Sequence, residues 1–277
     1  NRFYSIAERV STNTNTSTTD PAFAMVGSVG NVNAAGVVTT DMLYFGVNPF
    51  GIPIASAIKS IDLGGNEQAL CIRQSLKAPT YFYSCGRNVS ITNSSLSEAF
   101  VIKHSTNGSV SWIKRFTLPI GTNTATYTEA TSVIDDATNG YVIVVGNIRT
   151  ISSQTAPASK KAFVAKFNSS GTLTWLRILD MGDIELRSIR ATHVLNKYLL
   201  TGSIYYTGQT MTKLFLSLVN TSSTLSTGGP VADFAKAYNI NSFYTAASVV
   251  RQEGFDVLQR NAPVVVGANL QIGRAHV

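Results

Sequence analysis

The chain has few charged residues, few histidines and only two cysteines. Charged residues make up 13% of its 277 residues, well below the share in an average soluble domain. The three histidines, His104, His193 and His276, have no metal-ligand spacing, and the cysteines form no Cys-x-x-Cys pair. A Gly-x-Ser-x-Gly elbow, a phosphate loop and a dinucleotide fingerprint are also missing. We therefore predict no catalytic residues, no metal site and no cofactor.

Long apolar runs and long basic runs are absent as well. No stretch approaches the length of a membrane span, and no signal peptide is present. Asn1 is not an initiator methionine, so we expect a leader that this sequence lacks. The net charge is +7, but the longest basic groups are only Lys160-Lys161 and Lys114-Arg115. We therefore predict neither nucleic-acid binding nor membrane insertion, and an acidic polysaccharide partner stays open.

Two segments of the chain nearly repeat one another. Ala99-Phe-Val-Ile-Lys103 is followed by a turn glycine and then by Trp112. Ala162-Phe-Val-Ala-Lys166 is followed by the same two features, and fainter copies begin at Leu43 and at Phe215. The unit therefore occurs four times.

An apolar run that ends in glycine precedes each copy, and a fifth such run lacks the rest of its unit. The glycines are Gly27, Gly86, Gly146, Gly202 and Gly267. Their spacings are 59, 60, 56 and 65 residues. A period of this length that is built from strands indicates radial or solenoidal repetition.

Each unit contains four short segments rich in Val, Ile, Phe, Tyr and Thr, which predict strands. In the third unit they fall at about 128–135, 141–149, 160–167 and 172–180. The second strand is apolar on both faces, as expected of a strand between two neighbouring layers. The glycine in it leaves room for a bulge or a close backbone approach. Four antiparallel strands per unit are typical of a propeller blade.

The unit of about sixty residues, with its Ala-Phe-Val-x-Lys segment, turn glycine and tryptophan, resembles the delta-sixty type of bacterial and protist β-propeller repeat. The resemblance covers almost the whole chain. It implies a propeller, often extracellular, and no particular activity. We therefore predict an all-β propeller of four-stranded antiparallel blades, with four complete blades and a partial fifth. The predicted single domain spans 1–271, with blades at about 1–62, 63–119, 120–180, 181–240 and, in part, 241–271.

Residues 272–277, Ile-Gly-Arg-Ala-His-Val, have a different origin in this interpretation. They match the translation of ATC GGA AGA GCA CAC GTC, the bases of a common short-read sequencing adapter. The fifth unit stops where its third strand should begin. We therefore expect that these residues are an adapter artefact and that the natural protein continues beyond about Gln271.

Six Asn-x-Ser/Thr sequons are candidate glycosylation sites: Asn15, Asn88, Asn93, Asn107, Asn168 and Asn220. Three of them, Asn107, Asn168 and Asn220, fall in predicted turns between third and fourth strands, and Asn15 falls between a first and a second strand. Asn88 and Asn93 fall between a second and a third strand. The alternative stays open, because turns are rich in Asn, Ser, Thr and Gly in any protein.

The two cysteines occupy consecutive predicted strands around a turn at Lys77-Ala78-Pro79. Cys71 and Cys85 are both seven residues from Ala78, so they can face each other across the hairpin. We predict a cross-strand disulfide, with two buried free thiols as the alternative.

Asp180, Asp183 and Glu185 cluster in one predicted loop. This cluster permits a calcium site or a carboxylate pair for glycoside hydrolysis, and a solvated turn is the alternative. Tyr127, Tyr205 and Tyr206 are candidates for stacking on sugar rings, with packing between strands as the alternative. Neither set is distinctive enough to indicate an activity.

The low charge and the many Ser and Thr residues indicate a surface of hydroxyl and amide groups, which is typical of secreted proteins. We predict a non-enzymatic, secreted, glycosylated structural subunit of an extracellular filament, sheath or cell-surface appendage. It associates with identical or related subunits. The alternative is a carbohydrate-binding protein that uses the face bearing Gly64-Gly65, 121–127 and 150–158. A third hypothesis is a glycoside hydrolase or lyase.

Overall fold

The computed structural model describes residues 2–9, 21–32, 36–122, 126–150, 159–192, 194–205, 213–221, 231–238, 249–259 and 264–272. These residues form eighteen β-strands. They include no helix that is long and apolar enough to cross a membrane. The strands are β1 Arg2–Glu8, β2 Phe23–Val32, β3 Val38–Val47, β4 Pro53–Ile61, β5 Asn66–Gln74, β6 Tyr81–Val89, β7 Ser97–Ser105, β8 Val110–Phe116, β9 Thr126–Asp135, β10 Val142–Thr150, β11 Lys160–Phe167, β12 Leu173–Leu179, β13 Asp183–Ala191, β14 Lys197–Tyr205, β15 Lys213–Asn220, β16 Val231–Tyr238, β17 Val249–Gln259 and β18 Val264–Ile272.

The prediction of an all-β protein is confirmed, but the prediction of a propeller is wrong. Strands β1 to β12 form one mixed sheet, β13 to β16 form a second sheet, and β17 pairs with β18. The described residues form no closed propeller blades. Within the large sheet, antiparallel pairing runs through β1–β4, β5–β8 and β9–β12, which we call groups 1, 2 and 3. Group 4 is the sheet β13–β16.

Two short parallel pairings merge groups 1, 2 and 3 into one sheet. Thr40 of β3 pairs with Asn66 of β5, and Ser97 of β7 pairs with Tyr127 of β9. The Asn66 side chain accepts a hydrogen bond from the Thr40 amide at 3.0 Å, and the Ser97 hydroxyl donates to the Thr128 carbonyl at 2.9 Å. These contacts hold the first strand of one group against the third strand of the preceding group. The groups are therefore continuous rather than separate blades.

The repeated glycines do lie where a bulge brings two strands unusually close. A Cβ atom on Gly86 would lie 1.9 Å from the carbonyl oxygen of Gln68, and the corresponding distance from Gly146 to Glu129 is 2.0 Å. In group 2 the pairing shifts between Ala69 and Cys71, directly beside Gly86. A Cβ atom on Gly27 or on Gly202 would lie equally close to a carbonyl oxygen in the first strand of its group. The prediction that these glycines mark a bulge or a close backbone approach is confirmed.

Hydrophobic layers fill the spaces between successive groups. One cluster joins groups 1 and 2 through side chains such as Met42 and Phe82, and another joins groups 2 and 3 through Tyr83 and Phe163. A third joins groups 3 and 4 through residues such as Trp175. The second strand of a group therefore packs on both faces, and β10 is buried along Val142–Ile148. This agrees with its apolar sequence.

Turn glycines make room for an aromatic ring of the preceding group. Gly108 and Gly171 both have a φ value of +81°. A Cβ atom on Gly108 would lie 2.6 Å from the Tyr44 ring, and one on Gly171 would lie 2.9 Å from the Trp112 ring. The Trp112 Nε1–H group donates to the Ser169 carbonyl at 3.1 Å. The repeated glycine and aromatic positions thus connect neighbouring groups.

Candidate functional site

The three carboxylates that sequence analysis clustered as a calcium or hydrolase site are each engaged by basic groups or backbone amides. Asp180 forms an ion pair with Lys161, and its side chain is 74% exposed. Asp183 accepts the Lys160 amide at 3.1 Å, and Glu185 forms an ion pair with the Lys160 ammonium group at 2.9 Å. Carboxylates that already have such partners are poor candidates for an acid–base pair. The geometry therefore lends no support to the hydrolase hypothesis.

Glu185 belongs instead to a chain of charges that crosses groups 2, 3 and 4. Arg87 contacts Glu129 at 2.8 Å, and Arg149 contacts Glu129 at 3.2 Å and Glu185 at 3.8 Å. Arg187 contacts Glu185 at 3.0 Å. Burial acts to raise the pKa of Glu185, but the Lys160 hydrogen bond and the nearby cations outweigh it and lower that pKa. Because both carboxylates are buried and multiply paired, we interpret this chain as a structural connection.

Tyr127 lies in the same network and is not open for sugar stacking. The guanidinium carbons of Arg87 and Arg149 lie 5.3 and 5.5 Å from the centre of its ring. Tyr205, in contrast, is 37% exposed. Tyr206 lies outside the described residues. Of the two proposed sugar-binding tyrosines that the structure describes, Tyr205 is the one with an exposed ring.

His104 is a packing residue. It is completely buried, its ring lies 4.7 Å from that of Tyr44, and its Nε2 atom is 3.2 Å from the Ser84 hydroxyl. Burial lowers its pKa to about 4. His193 and His276 lie outside the described residues.

The predicted disulfide between Cys71 and Cys85 is wrong. The two residues are cross-strand partners between β5 and β6, as their spacing predicted, but both are buried free thiols. The Cys71 sulfur lies 3.8 Å from the Ser132 hydroxyl of group 3. Burial raises the pKa of the Cys85 thiol well above its ordinary value. Both residues act as small core side chains, so they give no indication of an oxidising compartment.

The sequon at Asn88 has an unfavourable position. Asn88 lies inside β6, rather than in the turn that follows it, and is only 5% exposed. Its Nδ2 atom is 3.4 Å from the Leu63 carbonyl oxygen. A folded chain therefore does not present this side chain for glycosylation.

The other sequons differ in exposure. Asn93 lies in the exposed turn between β6 and β7, and Asn107 is exposed in the turn between β7 and β8. Asn168 is half-buried, and its side-chain oxygen accepts the amides of Ser170 and Thr172. Asn220 is half-buried at the end of β15. Asn15 lies outside the described residues. Asn93 and Asn107 are therefore the best-placed acceptors.

A polar cleft of about 460 Å³ lies between the Gly64-Gly65 segment and the β6–β7 turn. Its lining includes Asn88 and Thr126, together with Glu98 and Arg115, which form a two-point ion pair at 2.7 and 2.9 Å. None of the described residues that line it is aromatic. It lies on the face that sequence analysis assigned to carbohydrate binding, since Gly64-Gly65 and part of the 121–127 segment border it.

Four strands of the large sheet have a partner on one side only within the described chain: β1, β4, β8 and β12. All four edges carry Lys or Arg. In β4, β8 and β12 they lie inside the strand, at Lys59, at Lys114 with Arg115, and at Arg177, whereas in β1 the only one is the first residue, Arg2. Such charges oppose edge-to-edge pairing. The centre of β1 instead contains Phe3, Tyr4 and Ile6, which are 48%, 38% and 57% exposed. β1 is therefore the least protected of these edges.

In comparisons with known proteins, no protein-family model and no curated protein matches this chain.

Proposed function

We propose that this chain is a non-enzymatic structural subunit of an extracellular assembly and that it associates with a second copy of itself through the edge strand β1. The observation that carries the proposal is the exposed, uncharged centre of this edge at Phe3, Tyr4 and Ile6. An open edge offers unpaired backbone groups as well as apolar side chains.

The charges at the two ends of β1 favour an identical partner. Arg2 begins the strand and Glu8 ends it. When two copies of β1 pair antiparallel about Ser5, Arg2 of each lies opposite Glu8 of the other. Such a two-fold contact uses the same surface on both copies, as homodimers generally do. Opposite charges that face each other across strands stabilise the pair, whereas like charges destabilise it.

Further exposed apolar side chains lie away from β1. Val32 and Val38 at the β2–β3 hairpin are 62% and 71% exposed, and Phe50 in the β3–β4 turn is 70% exposed. A two-fold contact alone gives closed dimers, so growth of a filament or sheath requires a second contact surface. These side chains supply one.

Secretion and glycosylation form part of the proposal. The support is the low fraction of charged residues and the exposure of the sequons at Asn93 and Asn107. Mass spectrometry of the protein isolated from its source tests this part. Glycan on Asn93 or Asn107 would support it, and unmodified asparagine at both positions would count against it.

Sedimentation equilibrium over a range of concentrations tests the contact. We expect the unmodified protein to dimerise and Ile6→Lys to be monomeric, because the lysine places charge at the centre of the contact. Ile58→Lys is the matched control, since Ile58 is exposed on the β4 edge at 38% and lies outside the proposed contact. A protein that stays monomeric, or dimers that Ile6→Lys leaves intact, would contradict the proposal.

A charge exchange tests the antiparallel register. Arg2→Glu places like charges opposite each other at both ends of the pair, and Glu8→Arg does the same with the opposite sign. We expect each single variant to weaken the dimer by about tenfold and the double variant to restore it. No restoration would exclude this arrangement. Electron microscopy of concentrated protein then shows whether dimers continue into filaments or sheaths.

Carbohydrate binding at the polar cleft is the second candidate. The cleft offers a carboxylate, a guanidinium group and an amide group to a sugar, although none of its described lining residues is aromatic. Binding on a glycan array that Arg115→Ala abolishes, while Arg177→Ala on β12 leaves it unchanged, would favour this candidate. Absence of binding would remove it.

A further inference from the structure

Three carboxylates meet where group 1 passes into group 2. Asp41 lies in β3, Asp62 lies in the segment between β4 and β5, and Glu67 lies in β5. One oxygen from each lies within 4.8 Å of one oxygen from each of the others. No other set of three His, Cys, Asp or Glu side chains is as close in the part of the chain that the structure describes.

Two of these carboxylates are buried and only partly hydrogen-bonded. Asp41 is 4% exposed and Glu67 is fully buried. The Oδ1 atom of Asp41 and the Oε2 atom of Glu67 are buried and have no hydrogen-bond partner within the described ranges. Burying a carboxylate away from water without a compensating partner strongly destabilises the folded state. The bare oxygens therefore require a positively charged partner or a proton.

The remaining oxygens of the buried pair are held in place by donors. Asn31 Nδ2 and the Ser60 hydroxyl donate to Oδ2 of Asp41 at 3.0 and 2.9 Å. The Gly65 amide donates to Oε1 of Glu67 at 2.9 Å. Partners of this kind orient the ligating oxygens in metal sites. Here they leave one oxygen of each carboxylate free.

Asp62 completes the cluster from the solvent side. It is exposed, and its Oδ1 atom accepts the Gly64 amide at 2.7 Å. Within the described residues, no Lys or Arg side chain forms an ion pair with Asp41, Asp62 or Glu67. Among the described residues, the cluster therefore has no ion pair of the kind that holds Glu129 and Glu185.

We propose that Asp41, Asp62 and Glu67 bind one Ca²⁺ ion. Ca²⁺ takes six to eight oxygen ligands at about 2.3–2.6 Å, so two of its ligands lie at most about 5 Å apart. The cluster meets this limit. Mg²⁺ generally keeps several waters and uses one or two carboxylates, so three carboxylates, two of them buried, favour Ca²⁺. Water supplies the remaining ligands through the exposed side at Asp62.

The bound ion connects two groups of strands. It ties β3 to β5 beside the parallel pair Thr40 and Asn66, and it fixes the segment with Gly64 and Gly65. Gly64 and Gly65 also line the polar cleft. Calcium binding therefore stabilises the junction of groups 1 and 2 and the shape of the cleft.

Titration of Ca²⁺ into the EDTA-treated protein, after removal of the EDTA, tests the site by calorimetry and by thermal unfolding. We expect one ion per chain, a rise in the melting temperature with Ca²⁺ and a much smaller rise with Mg²⁺. Asp62→Asn should weaken binding by about tenfold or more while the protein still folds, because Asp62 is exposed. Glu67→Gln should weaken it similarly. Asp180→Asn is the control and should bind as the unmodified chain does.

Two results would overturn the proposal. One is a melting temperature that Ca²⁺ leaves unchanged, together with no heat of binding. The other is equal affinity in Asp62→Asn, Glu67→Gln and the unmodified chain. If Ca²⁺ does not change the stability of the unmodified chain and Glu67→Gln is more stable than that chain, then the buried carboxylates share a proton and do not bind metal.

Discussion

The Tyr44 hydroxyl donates a 2.6 Å hydrogen bond to the carbonyl oxygen of Thr106, 62 residues further along the chain. Tyr44 lies in β3 of group 1, and Thr106 lies in the turn between β7 and β8 of group 2. Trp112 of group 2 bonds to Ser169 of group 3 in the same way. Tyr44 and the partly buried Trp112 thus each place a polar atom on a turn of the next group, which joins groups 1 and 2 and groups 2 and 3 by both packing and hydrogen bonding.

Tyr44→Phe should lower the free energy of unfolding by about 1 kcal/mol, because it removes this hydrogen bond and leaves the Thr106 carbonyl without its donor. Chemical denaturation measures the change. Tyr205→Phe is the control, since Tyr205 is partly exposed, and it should change stability little. Equal effects of the two substitutions would show that the bond contributes nothing specific.

Gly86→Ala should destabilise the protein by about 3 kcal/mol. The new Cβ atom would overlap the Gln68 carbonyl oxygen, and only a shift of the backbone can relieve that overlap. Gly30→Ala is the matched control: Gly30 also lies in a second strand, but a Cβ atom there has no neighbour within 4 Å. We expect Gly30→Ala to stay within about 0.5 kcal/mol of the parent. A tolerated Gly86→Ala would mean that the bulge is not as close as described.

Glu129→Gln should cost about 2 kcal/mol, since it leaves Arg87 and Arg149 facing a neutral group in a largely buried position. Glu98→Gln removes a carboxylate from an ion pair that is exposed on both sides, so it should cost about 0.5 kcal/mol or less. Urea denaturation at low and high salt distinguishes them, because salt screens the exposed pair more. Similar losses at both positions would argue against a structural charge chain.

Acid should destabilise the protein through His104. Its pKa falls to about 4 on folding from an unfolded value of 6.5, so the folded state keeps it neutral while the unfolded state gains a proton. The stabilisation is complete above about pH 6.5 and is lost as the pH falls towards 4. Between about pH 7.5 and 4.5 this amounts to about 2–3 kcal/mol.

The difference in pH dependence between the parent and His104→Asn isolates this contribution, because carboxylates titrate alike in both proteins. We expect the unfolding free energy of His104→Asn to fall less steeply with acid. Parallel curves would mean that His104 titrates normally in the folded protein.

Thiol labelling tests the state of Cys71 and Cys85. Both are buried free thiols, so a thiol reagent should react slowly with native protein and should label two groups per chain in denaturant. The Cys71→Ser and Cys85→Ser variants should each lose one labelled group. Absence of labelling in denaturant without reductant would show a disulfide in the isolated protein.

The sequence by itself determined the strands and their local register. In the third unit the predicted strands 128–135, 141–149, 160–167 and 172–180 agree with β9–β12 to within two residues at each end. Alternation of apolar residues, turn residues and the repeated glycines are local signals, and they also placed Cys71 opposite Cys85. Local patterns carry this information because strand pairing within a hairpin depends on neighbouring residues.

Tertiary structure alone decided how the groups join and where the carboxylates meet. The pairings Thr40–Asn66 and Ser97–Tyr127 are short and are accompanied by side-chain hydrogen bonds, which no repeat pattern reveals, and they merge groups 1, 2 and 3 into one sheet. Asp62 and Glu67 flank Gly64-Gly65 and look like turn residues in the sequence. Only the folded chain brings Asp41 beside them, because β3 and β5 are neighbours in space and not in sequence.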